Sequence, residues 1–135
     1  PSSTPTPEPE TESAKEFIRR WQEEAQNMQS SGVSGPFRKL THRCSDCDAL
    51  ADEVDRIYAD GGSIAGGEVV ITELRRAGSS AGQQVYEFTR TARPMEVLAP
   101  DGEVDRRFAG GKARYQLNLS KFNGSWKVLR ISQLV

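Results

Sequence analysis

Every stretch with helical spacing in this chain lies before Gly61, and every stretch with strand alternation lies after Gly67. That segregation constrains the fold more than any single motif. Helices interleaved with strands build parallel sheets, whereas helices followed by a run of strands build α+β domains. The expectation is therefore a single α+β domain over residues 13–135, with the N-terminal helices packed on a curved, mostly antiparallel sheet.

The local signals agree with this order. Ser13 and Glu16 form a capping box. Behind them Phe17, Ile18, Trp21, Ala25 and Met28 make one apolar stripe, predicting a helix over 14–30. Pro36 suits the first turn of a short second helix anchored by Phe37 and Leu40. A third helix is expected over 46–59, capped by Ser45 or Asp46, with Asp46, Asp48, Asp52 and Glu53 crowding its positive end. The glycines around Ser63–Ala65 and at Gly110-Gly111 read as flexible loops.

After Gly67 four to six strands are expected. Residues 68–76 form one, and a flexible turn is expected over 77–82. Residues 83–93 form the next, with Tyr86, Phe88 and Arg90 sharing a face until Pro94 interrupts the ladder. Residues 95–98 and 104–108 are short candidates. Residues 112–122 alternate cleanly, with Ala113, Tyr115, Leu117 and Leu119 inward. Asn123-Gly124 is a strong hairpin signal, because a type I′ turn requires positive φ at both positions. The returning strand is apolar on both faces: Trp126 and Val128 on one, Leu129 and Ile131 on the other. It is either central and covered twice or interrupted by a bulge.

Residues 1–12 have a different character. They hold four of the seven prolines and three glutamates, and no aliphatic or aromatic side chain. Such a segment cannot bury enough apolar surface to fold, and its alternating prolines favour extended conformations. It reads as a disordered tether, with an export signal expected upstream. The rest of the chain has 18 basic against 16 acidic residues, a balance unlike a nucleic-acid binder. No apolar run is long enough to span a membrane.

The opening helix with Phe17 and Trp21, the second long helix ending in Tyr58-Ala-Asp-Gly-Gly62, and the closing hairpin Tyr115–Val128 with its Gly-x-Trp-x-Val together resemble the nuclear transport factor 2-like superfamily, a cone-shaped α+β fold. The leader, Cys44-Ser-Asp-Cys47 and Tyr58…Gly61-Gly62 further resemble an uncharacterised family of actinobacterial lipoproteins. That resemblance implies an extracytoplasmic domain, anchored to the cell membrane by a lipidated cysteine upstream of this chain. It transfers no catalytic residue. Enzymes of the superfamily use an Asp/His pair inside the cone, while the single histidine here, His42, neighbours the cysteines.

Three chemistries compete at Cys44 and Cys47. A structural disulfide leads, given two cysteines in an exported context. A redox pair needs an accessible, low-pKa thiol, and the usual preceding strand is absent. A metal site would draw on His42, Cys44, Cys47 and Asp46 or Asp48, but lacks the second ligand pair of closed zinc sites. No metal, cofactor or catalytic residue is assigned. The aromatics Phe17, Trp21, Tyr58, Tyr86, Phe88, Tyr115 and Trp126 are the candidate pocket lining, with Arg90 or Arg130 as an anion-binding point if either faces inward. The leading expectation is a non-catalytic binding or interaction module of the bacterial cell envelope, engaging an envelope protein or a small ligand. The alternative is a small-molecule enzyme or ligand carrier using the cone interior. No nucleic-acid partner is expected, and a homodimer is compatible with the resemblance.

Overall fold

A capping box opens the folded chain. In the computed structural model, which describes residues 12–134, Ser13 Oγ accepts from the Glu16 amide at 3.1 Å and Glu16 Oε1 accepts from the Ser13 amide at 2.9 Å. The tether expected over 1–12 lies outside the described residues except for Glu12. Glu12 is held: its carboxylate takes two 2.9 Å hydrogen bonds from Arg20, and its carbonyl accepts from Trp126 Nε1. Helix α1 (Ala14–Ser31) follows, burying Phe17, Ile18, Trp21, Ala25 and Met28. It ends at Gly32, whose φ of 79° and close approach to the Tyr58 ring admit no side chain.

Helix α2 (Gly35–Arg38) is one turn anchored by Phe37. Helix α3 (Ser45–Ala59) is capped by Cys44, not by Ser45 or Asp46. Cys44 has the extended backbone of a cap and its sulfur accepts from the Cys47 amide at 3.2 Å, so Ser45 and Asp46 already belong to the helix.

Seven strands follow among the described residues, one more than the upper expectation: β1 (Ser63–Gly66), β2 (Val69–Ser80), β3 (Gln83–Ala92), β4 (Met95–Leu98), β5 (Val104–Phe108), β6 (Gly111–Phe122) and β7 (Ser125–Gln133). All their ladders are antiparallel. They form a large sheet in the order β2-β3-β6-β7 and a small one in the order β1-β4-β5. The loop expected at Ser63–Ala65 is thus strand β1, paired with β4. The turn expected over 77–82 shrinks to Ala81-Gly82, both with positive φ, because β2 continues through two bulges.

The last strand resolves its ambiguity by a bulge. Asn118 pairs with Arg130 but Leu119 pairs with Val128, so Leu129 is the extra residue. Beyond it Ile131 returns to the face of Val128, opposite Leu117. β7 is therefore an edge strand with one buried face. Asn123 (φ 52°) and Gly124 (φ 83°) make the expected turn. The core lies between the helices and the inner face of the large sheet, around Phe17, Phe37, Phe88, Leu117, Leu119 and Val128.

Candidate functional site

The two sheets part at one end of the molecule. β3 stops at Ala92, Arg93-Pro94 turns the chain, and β4 starts the small sheet at Met95. The chain returns from β5 to β6 through Ala109 and Gly110. Here the backbones come so close that a Cβ on Gly110 would stand 2.3 Å from the Ala92 carbonyl oxygen. Gly67 donates its amide to the Pro94 carbonyl at 3.0 Å. This glycine-lined seam opens into a cavity of about 390 Å³, lined by Gln29, Arg90, Arg93, Met95, Phe108, Lys112, Tyr115 and the neighbouring backbone.

Arg90 faces inward because it continues the row Tyr86, Phe88 along β3, opposite Ala113 of β6. Its guanidinium lies over the Tyr115 ring at 5.5 Å, a cation–π contact, and makes a long 3.5 Å contact with the Tyr115 hydroxyl. Its Nε is buried with no acceptor among the described residues. Arg93 and Lys112 are exposed at the rim. None of these three cations has a carboxylate partner among the described residues, whereas Arg75 and Arg114 share Glu87, Arg106 meets Glu53 and Arg107 meets Glu96. The described lining of the cavity contains no histidine and no carboxylate.

A second, smaller space of about 60 Å³ lies between α1, α3 and the sheet. It shares Gln29 and Arg90 with the outer cavity and adds Trp21, Phe37, Leu50, Phe88, Ile131 and, on α3, the exposed Asp46. Trp21 Nε1 is also buried without an acceptor among the described residues.

Of the seven aromatics singled out in the sequence, Trp21 and Phe88 line the inner space and Tyr115 the outer one. Phe17 is fully buried in the core. Tyr58 pins three segments: its hydroxyl donates to the Gln29 carbonyl at 2.6 Å and accepts from the Ile64 amide at 3.2 Å. Tyr86 is buried, with its hydroxyl 3.4 Å from Gln84 Oε1. Trp126 packs under Lys121 beside the 123–124 turn, well along the sheet from the mouth. Arg130 is exposed and faces away from the cone, pairing with Asn118 on the outer side. Gln29, Arg93, Met95, Phe108 and Lys112 were not singled out. The break at Pro94 and the glycines 110 and 111 were their only signal.

Cys44 and Cys47 are joined, with sulfurs 2.04 Å apart, and are 1% and 2% exposed. Such burial leaves no approach for an attacking thiolate, so the bond has the character of a structural staple. The His42 ring packs against Phe122, with centroids 4.5 Å apart and planes tilted by 36°. Among the described residues no three His, Cys, Asp or Glu side chains gather as metal ligands.

No protein-family model and no curated protein sequence matches the chain. Solved structures do match. The intermembrane space region of the chloroplast protein ARC6 superposes with a TM-score of 0.65 at 12% identity, covering 90% of this chain and 94% of that one. An uncharacterised protein with a cystatin-like fold from Caulobacter vibrioides gives 0.53 at 11%, covering 90% and 89%. The fold is the nuclear transport factor 2-like, or cystatin-like, cone. The beta subunit of benzoate 1,2-dioxygenase from Burkholderia mallei shares it, with 0.57 at 8%, covering 91% and 90%. At such identities the cone is shared and the function is not thereby transferred. In this cone the parted sheets form the mouth and the 123–124 turn lies at the opposite end of the large sheet.

Proposed function

We propose that this chain is a non-catalytic binding domain of the bacterial cell envelope, held outside the membrane by its leader and an upstream lipid anchor, that takes a small anionic organic molecule at the mouth of the cone. The observation that carries the reading is the clustering of Arg90, Arg93 and Lys112 around one cavity with no carboxylate partner among the described residues. Cations that lack an internal counter-ion around a concave, partly apolar space suit an anion from outside. The absence of a histidine–carboxylate pair from the described lining favours binding over acid–base catalysis.

The buried disulfide supports an oxidising, extracytoplasmic compartment. No described helix is long and apolar enough to cross a membrane. A homodimer, or docking to an envelope protein, belongs to the same reading, since one structural neighbour is itself a subunit of a larger enzyme. The large sheet would offer a polar face to such a partner, built on the Arg75–Glu87–Arg114 lattice.

The test is a thermal-shift and calorimetric screen of short carboxylates and organic phosphates against the wild type and Arg90→Ala. Saturable binding is expected, weakened about tenfold or more in the variant, the scale of one hydrogen bond to a charged group. An anion panel that leaves the wild-type melting temperature unmoved overturns the reading.

A further inference from the structure

We propose that the inner chamber is a carboxylate subsite whose two donors are Trp21 Nε1 and Arg90 Nε. The inference rests on the anion-binding reading of the mouth and specifies which part of the ligand enters and what receives it.

Both nitrogens are buried with no acceptor among the described residues, and both residues line the same space of about 60 Å³. Trp21 is 4% exposed. Folded proteins leave few such groups unpaired, and two around one small chamber call for a shared partner. Both side chains sit on rigid elements. Trp21 occupies the middle of α1 with its ring against Phe37 at 6.1 Å, and Arg90 lies on an interior strand of the large sheet with its guanidinium over Tyr115. The two side chains are thus held in place before any ligand arrives.

The chemistry narrows the partner. Indole N–H and guanidinium N–H only donate. A carboxylate only accepts, it neutralises the charge of Arg90, and its hydrogen bonds to a cation are charge-assisted. At about 60 Å³ the chamber exceeds the roughly 10–15 Å³ that a single water needs, which leaves room for a carboxylate group. The rest of the molecule then lies along Arg90 into the outer cavity, against Met95, Phe108 and Tyr115. The ligand class is a slender monocarboxylic acid with an apolar body. Asp46 is the one carboxylate among the described residues of the chamber lining, and its exposure to solvent screens its repulsion.

The two tryptophans provide the experiment. In uniformly ¹⁵N-labelled protein, which shows the indole and backbone amide signals together, the Trp126 indole is an internal control, because its N–H already donates to the Glu12 carbonyl at 2.9 Å. Titration with hexanoate is expected to move the Trp21 indole signal downfield and leave that of Trp126 in place. Hexanol, with the same body and no charge, is expected to do neither. Trp21→Phe keeps a ring and removes the donor, and is expected to weaken hexanoate about tenfold while inorganic phosphate still perturbs the Arg93 and Lys112 amides. Arg90→Lys, which keeps the charge and loses Nε, is expected to weaken hexanoate as well, and Asp46→Asn to tighten it. Hexanoate that perturbs the mouth amides but not the Trp21 indole overturns the carboxylate subsite and leaves the anion-binding mouth standing. A Trp21 response to hexanol equal to that with hexanoate also overturns it. If neither hexanoate nor phosphate perturbs any mouth amide, both readings fall.

Discussion

Arg90 and Trp126 sit on the same inner side of the large sheet and answer to different pressures. Trp126 is 8% exposed, its indole N–H is satisfied by Glu12, and its ring carries Lys121 at 5.0 Å. Replacing it with alanine removes a large, fully partnered side chain, and the expected cost is about 3–5 kcal/mol in urea titration. A loss within experimental noise would place its ring in solvent. Arg90 has the opposite balance. Among the described residues its partly buried charge has no carboxylate partner and its buried Nε no acceptor, terms that oppose folding. Arg90→Met, which keeps the stem and discards the charge, is therefore expected to leave stability unchanged or raise it by about 1 kcal/mol while eliminating hexanoate binding. A marked drop in stability would identify Arg90 as a structural residue held by Tyr115 alone.

Elements are joined by devices of quite different strength. The Cys44–Cys47 bond closes a very short loop, so chain entropy assigns it only about 2 kcal/mol. Cys44→Ser with Cys47→Ser is expected to lower the denaturation midpoint and keep the fold, read by circular dichroism with and without reductant. Loss of all cooperative unfolding would show that α3 depends on the staple. α2 is tied to α3 by Arg38, whose Nη2 reaches Asp52 at 2.7 Å and Asp55 at 2.8 Å. The Arg38 hydrogen bond, then that of Ser34, holds Asp55 below its ordinary value of 3.8. A lowered folded-state value means that the contribution is complete above the ordinary value and disappears as pH falls through the lowered one. Asp55→Asn is therefore expected to flatten the acid limb of the stability–pH curve below about pH 4, with little effect near neutrality. An unchanged acid limb would mean that solvent screens the pair. These elements also show what could be read without coordinates. The Ser13–Glu16 box, the stripe of α1 and the Asn123-Gly124 turn are local chemistry, and each stands where the pattern put it. Strand β1 was missed because Ser63–Gly66, three residues and the first glycine of a pair, becomes a strand only through β4, about thirty positions on. The bulge at Leu129 was visible only as a contradiction between two faces. Trp21, Phe88, Arg90 and Tyr115 were legible by periodicity, whereas Arg93, Phe108 and Lys112 join the site through the parting of two sheets, a non-local event.

At the scale of the whole molecule the cone is two-ended. At one end of the large sheet the Asn123-Gly124 turn and Trp126 close on Glu12, and at the other the sheets separate around three cations. The chain's formal net charge is only −1, so its field is a matter of arrangement more than of sum. Arg93 and Lys112 at the rim act on an approaching anion through solvent, and salt screens them: the Debye length shrinks from ~30 Å at ~0.01 M to ~8 Å at ~0.15 M. Arg90 acts at contact, behind Gln29 and Tyr115, where screening reaches less well. The two groups should therefore separate kinetically. Raising salt across that range is expected to slow hexanoate association severalfold and leave its dissociation rate nearly constant, measured by stopped-flow tryptophan fluorescence. Arg93→Ser with Lys112→Ser is expected to associate slowly at low salt, to lose the salt dependence, and to release hexanoate at the wild-type rate. A double variant that slows with salt as steeply as the wild type would remove the rim from the mechanism, and a faster release would show that Arg93 and Lys112 hold the bound carboxylate themselves.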